Sequence, residues 1–310
     1  MSGTDTATVT ASARGLTKTY GRRRLGRGRT FRAVDGVDLD VAAGRTLGLV
    51  GESGAGKSTV GRLVLRLIEP DDGSIELLGT DVRTLSGSSL RALRARATMI
   101  FQDPYTSLDP RMLIQDAVAE PLVVHGGTTR AQRNARTREL LHRVGLGDAH
   151  LERYPYEMSG GQLQRVAIAR ALITDPAFIV CDEPVAALDV STQAQVINLL
   201  RELQQERDLA YLFISHDLRL VRLIADDVAV MRHGKVVESG TADAVFSDPT
   251  DPYTRELLAA IPGNSPRHRR FSAHPHGGRI TDPGIRTRGP GTETVGTEPT
   301  GERTTTHEVD

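Results

Sequence analysis

The stretch Gly51-Glu52-Ser53-Gly54-Ala55-Gly56-Lys57-Ser58 constrains this chain more than any other. It follows the pattern G-x-x-x-x-G-K-S of a phosphate-binding loop. Thr46-Leu47-Gly48-Leu49-Val50, just before it, is a short apolar run that predicts a buried strand. After it, apolar residues recur at Val60, Leu63, Val64 and Leu67 with the period of a helix. The loop therefore lies between a strand and a helix. Gly51, Gly54 and Gly56 let the backbone turn tightly and bring its N–H groups up to a phosphate. The start of the helix adds partial positive charge. Lys57 adds a point charge for the β- and γ-phosphates of a nucleotide, and the Ser58 hydroxyl is a ligand for Mg²⁺. An ordinary glycine-rich turn would explain the glycines, but not a Lys and a Ser at these two positions.

Composition narrows the remaining choices. With 310 residues there is room for one large domain or two small ones. Lys+Arg and Asp+Glu are 39 each, so no basic footprint for nucleic acid is present. Only Lys18, Lys57 and Lys235 are lysines, so one of the three lies in the loop. Cys181 is the only cysteine, which excludes intramolecular disulfides, four-cysteine zinc sites and iron–sulfur clusters within one chain and makes a reducing cytosol the expected compartment. No window approaches the roughly 18 consecutive apolar residues of a membrane span. Met1 to Ala13 is rich in Thr, Ser and Ala without an apolar core, so it reads as a disordered N-terminus and not as a signal peptide.

Along the chain, Leu16–Tyr20 reads as a short strand, followed by an Arg-rich run from Gly21 to Thr30. That run fits a solvated loop, with contact to phospholipid headgroups as the alternative. Ala33 to Val41 alternates as a half-buried strand does. Asp71-Asp72-Gly73 is a turn, then a strand follows at Ser74–Leu78, a short helix at Leu90–Arg96 and a strand at Ala97–Phe101. Between Asp103 and Asp175 the period-2 pattern disappears, and helices are predicted near 114–124, 129–144 and 160–173. Strands return at Ala177–Cys181 and Ala210–Ile214 around a helix at 192–206, a β-α-β rhythm that implies a parallel sheet. Val228–Met231 and Val236–Glu238 flank His233-Gly234 as a hairpin, and a last helix is predicted at 253–260. Residues 263–310 hold almost no apolar side chains and are expected to be a disordered, low-complexity tail.

Two further stretches carry chemistry. Ala177-Phe178-Ile179-Val180-Cys181-Asp182-Glu183 is an apolar strand ending in two acids. Neighbouring side chains on a strand point to opposite faces, so two carboxylates reach one site only where the strand ends and bends. Pro184 is expected to hold Glu183 extended there. Asp182 then orients Mg²⁺, and Glu183 acts on the attacking water as general base or polarising group. Cys181 reads as a small buried residue of the strand. Ser159-Gly160-Gly161-Gln162 opens a strongly helical stretch; it fits a second phosphate-binding helix end and a plain capped helix equally well.

Taken in order, Gly51–Ser58, Gln102, Ser159–Gln162, Asp182-Glu183, Ala187-Leu188-Asp189 and His216 resemble the nucleotide-binding subunit of an ABC transporter, over about residues 14–262. The resemblance implies an α/β fold: a P-loop NTPase (RecA-like) core with an antiparallel β subdomain and a helical subdomain, the latter at about residues 103–175. It implies ATP and Mg²⁺ as the bound species, with Glu52, Ser53, Ala55 and Thr59 joining the loop's other residues around the nucleotide. Ser159, Gly160, Gly161 and Gln162 match the family's signature motif, which closes over the ATP of a partner subunit. Gln102 matches the glutamine that senses Mg²⁺ and the attacking water. Asp189 matches the loop that crosses the dimer interface, and His216 matches the switch histidine near the γ-phosphate; a lone His there would otherwise fit a structural role. Tyr20 resembles the aromatic that stacks on adenine.

A narrower resemblance lies in Phe101–Arg111, Tyr154–Met158, Asp182–Ser191 and Asp251-Pro252-Tyr253-Thr254-Arg255, which are similar to the oligopeptide, dipeptide and nickel importer branch. Asp109, Met158 and Ala186 depart from that branch's usual Asn, Leu and Ser. Many of its members carry a cysteine-rich segment after the Pro-Tyr-Thr-Arg stretch; this chain has no cysteine there. The branch implies an ATPase at the cytoplasmic face of the membrane that energises import of peptides, with nickel or another small solute as the alternative cargo. Its implied partners are a second ATPase subunit (identical or paralogous), two membrane permeases and an extracytoplasmic solute-binding protein. A non-transport ABC protein would be expected to carry tandem cassettes or long coiled coils, and an exporter cassette would lack the branch's stretches.

Overall fold

The computed structural model describes residues 8–21 and 30–261. All of these lie in the larger of the chain's two compact units, residues 1–279. The Arg-rich run from 22 to 29, the first seven residues and the tail at 263–310 lie outside the described residues.

The chain begins with two long strands, β1 (Val9–Tyr20) and β2 (Phe31–Ala42), followed by β3 (Thr46–Val50) and α1 (Lys57–Val64). Next come β4 (Asp72–Leu77), β5 (Thr80–Asp81), α2 (Gly87–Arg96) and β6 (Ala97–Ile100). Residues 103–175 hold four α-helices, two short 3₁₀ turns and no strand: α3 (Pro104–Ser107), α4 (Ile114–His125), α5 (Arg130–Arg143) and α6 (Gly160–Leu172) are the α-helices. The α/β rhythm then resumes with β7 (Phe178–Asp182), α7 (Val190–Arg207), β8 (Ala210–Ser215), α8 (Leu218–Ile224), the hairpin β9 (Asp227–Arg232) and β10 (Lys235–Thr241), α9 (Ala242–Ser247) and α10 (Pro252–Ala259).

Two sheets result. The larger has the order β10-β9-β3-β8-β7-β6, parallel except for the edge strand β10. Its central strands are apolar except at their ends because both faces are covered; every residue of β3, β7 and β8 is buried, including the polar Thr46, Asp182 and Ser215. The smaller sheet is antiparallel, with the order β2-β1-β4-β5. A single apolar core spans both sheets. It joins Ala11, Leu16, Val37 and Leu39 of the antiparallel sheet to Val60 and Leu63 of α1 and to Leu49, Val180 and Ile214 of the parallel one. So α1, the helix that follows the phosphate loop, is wedged between the sheets, and its position is set by both.

Backbone approach matters at one strand in particular. A Cβ at Gly48 of β3 would lie 2.4 Å from Val221 Cγ1 and 3.1 Å from Ala225 Cβ, so the absent side chain is what lets α8 lie on β3. Gly48→Ala overpacks this contact and is expected to destabilise the chain by about 1–3 kcal/mol, read as a lower urea midpoint at unchanged m-value. An unchanged midpoint would mean that α8 shifts freely.

One expectation is corrected here. The N-terminal thirteen residues do not all lack structure: β1 starts at Val9, seven residues before Leu16. Ala11 and Ala13 pair with Val41 and Leu39 on one side and with Leu77 and Ile75 on the other, and both are fully buried. Small Ala, Thr and Ser side chains carry almost no hydrophobic alternation, so only the two flanking strands reveal this segment as the interior of a sheet. Helices α8 and α9, at seven and six residues, are too short for a periodic pattern to mark them and were not expected.

Candidate nucleotide site

The phosphate loop leaves the C-terminal end of β3 and enters α1 at Lys57. Two glycines hold it against its neighbours. Gly51 has φ +147° and a Cβ there would sit 2.1 Å from the Met231 carbonyl oxygen; Gly56 has φ +106° and a Cβ would sit 2.1 Å from the Ala33 carbonyl oxygen. No L side chain fits at either position. The hairpin turn adds a further link, since the Gly234 N–H donates to the Ala55 carbonyl at 3.0 Å. Lys57 lies inside the loop. Its ammonium donates to the Gly51 carbonyl at 2.7 Å and to the Glu52 carbonyl at 2.9 Å, and the residue is only 4% exposed. Burial pulls its pKa down from the usual lysine value, opposed by the charges of Glu183, Asp182 and Glu52. Glu52, Ser53 and Gly54 face solvent at the loop's outer turn, and Ser58 and Thr59 are half-buried in the first turn of α1.

The two acids at the end of β7 part into different surroundings. Asp182 is 1% exposed and accepts a hydrogen bond from Ser58 Oγ at 2.7 Å. Burial raises its pKa above the usual carboxylate range, against the lowering effects of the Ser58 hydrogen bond, Arg62 and Lys57; the charge of Glu183 adds to the rise. A buried carboxylate beside a hydroxyl is a hard oxygen donor pair with charge left to neutralise, so Ser58 and Asp182 fit a Mg²⁺ ion. Glu183 lies between two other groups. Gln102 Nε2 donates to its Oε2 at 3.0 Å, and His216 Nδ1 lies 3.1 Å from its Oε1.

The backbone of Glu183 differs from the expectation set by Pro184. It is not extended but left-handed, with φ +47°. Its N–H still bonds to the Ile214 carbonyl at 2.9 Å, continuing the ladder to β8, so the chain must turn away at this residue. The positive φ takes Glu183 off the strand geometry, in which neighbouring side chains diverge, and leaves both acids at one strand end. Such a conformation at a non-glycine residue costs about 1–3 kcal/mol and persists only where its surroundings enforce it.

Ser159–Gln162 forms a capping box at the start of α6: the Gln162 N–H donates to Ser159 Oγ at 3.3 Å, and the Ser159 N–H donates to Gln162 Oε1 at 3.0 Å. Among the described residues no hydrogen bond links this stretch to Gly51–Ser58. It packs instead against α7. A Cβ at Gly161 would lie 2.8 Å from Thr192 Cγ2, and Asp189, the cap of α7, accepts from the Thr192 N–H at 3.0 Å and from Thr192 Oγ1 at 2.7 Å. These bonds hold the Asp189 carboxyl below the usual range. Beside it, Val190 is 81% exposed. A cavity of about 110 Å³ lies between Gln102, Tyr105, Gly160, Gln164 and Leu188. Tyr20 is exposed at the end of β1, with Lys18 Nζ 5.9 Å from its ring centre.

The structure therefore gathers Gln102, Glu183 and His216 into one cluster and Lys57, Ser58 and Asp182 into an adjoining one. Among the described residues, Ser159–Gln162 and Asp189 make no hydrogen bond to either cluster. One contact had no sequence signal: the Glu52 N–H in the loop donates to the Tyr253 hydroxyl of α10 at 3.2 Å.

A parallel sheet carrying a glycine loop, a buried lysine and a strand-end acid pair defines a P-loop nucleoside triphosphatase. The chain belongs to the ABC transporter family, whose model matches residues 34–186. It is 52% identical to the dipeptide transport ATP-binding protein DppF of Lactococcus lactis over 77% of this chain and 78% of that protein. It is 51% identical to the oligopeptide transport ATP-binding protein OppF of Bacillus subtilis over 78% and 80%, respectively. Among solved structures, the dimeric bacterial ABC transporter cassette MJ0796 superposes with a TM-score of 0.68 at 28% identity, over 75% of this chain and 98% of that one. The same cassette in a post-hydrolysis state with ADP and phosphate gives a TM-score of 0.67. The chain is accordingly an ATP-binding protein and an ATPase of the ABC class. Among the described residues, no helix is long and apolar enough to cross a membrane.

Proposed function

We propose that this chain powers an importer of dipeptides or oligopeptides, as a peripheral subunit at the cytoplasmic face of the membrane. The relatives named for peptide transport support that cargo, and the observation that carries the ATPase role is Glu183 held between Gln102 and His216 beside the Lys57–Ser58–Asp182 group. Residues from Val9, where β1 begins, to about 261 act as the nucleotide-binding domain, with α3–α6 as its helical subdomain. Lys57 and the N–H groups of Gly51–Thr59 hold the β- and γ-phosphates, and Tyr20 stacks on the adenine. Ser58 and Asp182, with Gln102 nearby, would hold Mg²⁺, which when bound would neutralise phosphate charge. Glu183 takes the proton of a water that attacks the γ-phosphorus as the bond to the ADP oxygen breaks. His216 and Gln102 hold the Glu183 carboxylate in place for that transfer.

Ser159–Gln162, Asp189 and the exposed Val190 form a face suited to a second cassette, identical or paralogous, whose ATP this signature stretch covers. ATP then draws the two cassettes together and hydrolysis releases them, which drives two permease subunits fed by an extracytoplasmic solute-binding protein. The test is reconstitution in proteoliposomes with two peptide-permease subunits and a solute-binding protein from the same organism. ATP-dependent uptake of a labelled tetrapeptide is expected. Uptake of nickel in place of peptide, or no requirement for this chain, would overturn the proposed cargo.

A further inference from the structure

The Asp251-Pro252-Tyr253-Thr254-Arg255 stretch lies far from the phosphate loop in sequence, yet α10 is built so that one of its side chains reaches the loop. Asp251 caps the helix by accepting from the Tyr253 N–H at 2.8 Å, and Pro252 occupies its first position. Glu238 of β10 fixes the entry to the helix by accepting from the Thr250 N–H at 2.7 Å, Thr250 Oγ1 at 2.9 Å and the Asp251 N–H at 3.2 Å. Arg255 closes the preceding turn with bonds to the Pro249 and Thr250 carbonyls at 3.0 and 2.7 Å. Tyr253 is thereby buried to 3% exposure, with the Arg232 guanidinium 4.5 Å from its ring centre. Its hydroxyl accepts the Glu52 N–H at 3.2 Å.

Glu52 is the residue whose carbonyl holds Lys57 Nζ at 2.9 Å. Its N–H is bonded to α10 and its carbonyl to the lysine, so Glu52 is clamped from both sides. We propose that Tyr253 is a positioning residue of the nucleotide site: its hydroxyl holds Glu52 and, through Glu52, sets where the Lys57 ammonium meets the phosphates. Helix α10 thus tunes affinity for ATP without touching the reacting atoms. Neither Tyr253 nor the Glu52 backbone it holds is bonded to Glu183, Gln102 or His216, so the effect is expected on binding and not on turnover.

This inference rests on Gly51–Ser58 being the phosphate site. ATP binding by the wild-type chain, and its loss in Lys57→Ala, tests that reading separately. Tyr253→Phe keeps the ring and its contact with Arg232 and removes only the hydroxyl. In the full-length chain within the reconstituted transporter, titrated with ATP, it is expected to raise KM by about fivefold with kcat within about twofold of wild type, the loss of one neutral hydrogen bond. A KM equal to that of wild type, whether or not the unfolding midpoint falls, would overturn the proposal, because a purely structural tyrosine moves stability alone. If Tyr253→Phe does not purify folded, Glu238→Gln, which loosens α10 without touching Tyr253 or the loop, replaces it: a raised KM at unchanged kcat supports the inference, and a wild-type KM overturns it.

Discussion

Lys57→Ala is expected to abolish productive ATP binding and with it hydrolysis and transport. The side chain is nearly inaccessible and is desolvated, and it makes two bonds to loop carbonyls. When phosphates enter, charge-assisted bonds to their oxygens take precedence over neutral carbonyls, each contributing about 1.5–3 kcal/mol. Two such bonds correspond to a loss of affinity of roughly a hundredfold or more. The substitution also leaves the Gly51 and Glu52 carbonyls without their donor, so the empty loop itself loses order. Equilibrium dialysis with labelled ATP measures the first effect, and steady-state phosphate release measures the second. Wild-type ATPase rates in this variant would sink the assignment of Gly51–Ser58.

Glu183→Gln should separate binding from hydrolysis. Gln keeps the size and the left-handed backbone position of Glu183 but cannot accept a proton from water. Its amide also presents a donor to one of the two groups, Gln102 Nε2 or His216 Nδ1, that now approach carboxylate oxygens. Hydrolysis is expected to fall by about 10²–10⁴-fold, the usual contribution of a positioned general base. ATP binding through Lys57 and the loop remains, so the variant should accumulate as an ATP-bound pair of cassettes, visible by size-exclusion chromatography with Mg²⁺ and ATP. Turnover at the wild-type rate would show that another group takes the proton.

How much of this was legible beforehand depends on how local each feature is. The loop at Gly51–Ser58 reads directly from the chain because strand, turn and helix start are consecutive, and each residue type has a local reason to be there. The apolar run ending in Asp182-Glu183 is equally local. Gln102 and His216 had no such signal, since an isolated Gln or His after a strand fits many roles; only the family's order of motifs picked them out. Their convergence on Glu183 comes from the sheet. β6 and β8 both lie beside β7, so the residues just beyond their C-terminal ends meet at one edge. Pro184 misled about Glu183 because the rule for a residue before proline is a statistical preference, and here the chain leaves the strand at Glu183 with a left-handed φ. The first half of β1 was hidden because its burial comes from two partner strands, not from its own side chains.

The sequence by itself determined the phosphate loop, the acidic strand end, the α/β rhythm and the helical stretch that interrupts it, because these follow from spacing within a few residues. Tertiary structure alone decided which side chains share a site. It gave Asp182 to Ser58, Glu183 to Gln102 and His216, and the Glu52 N–H to Tyr253, 201 positions away. The physical reason is that hydrogen bonds act over about 3 Å. Only strand order and helix packing can bring groups that are distant along the chain within that range.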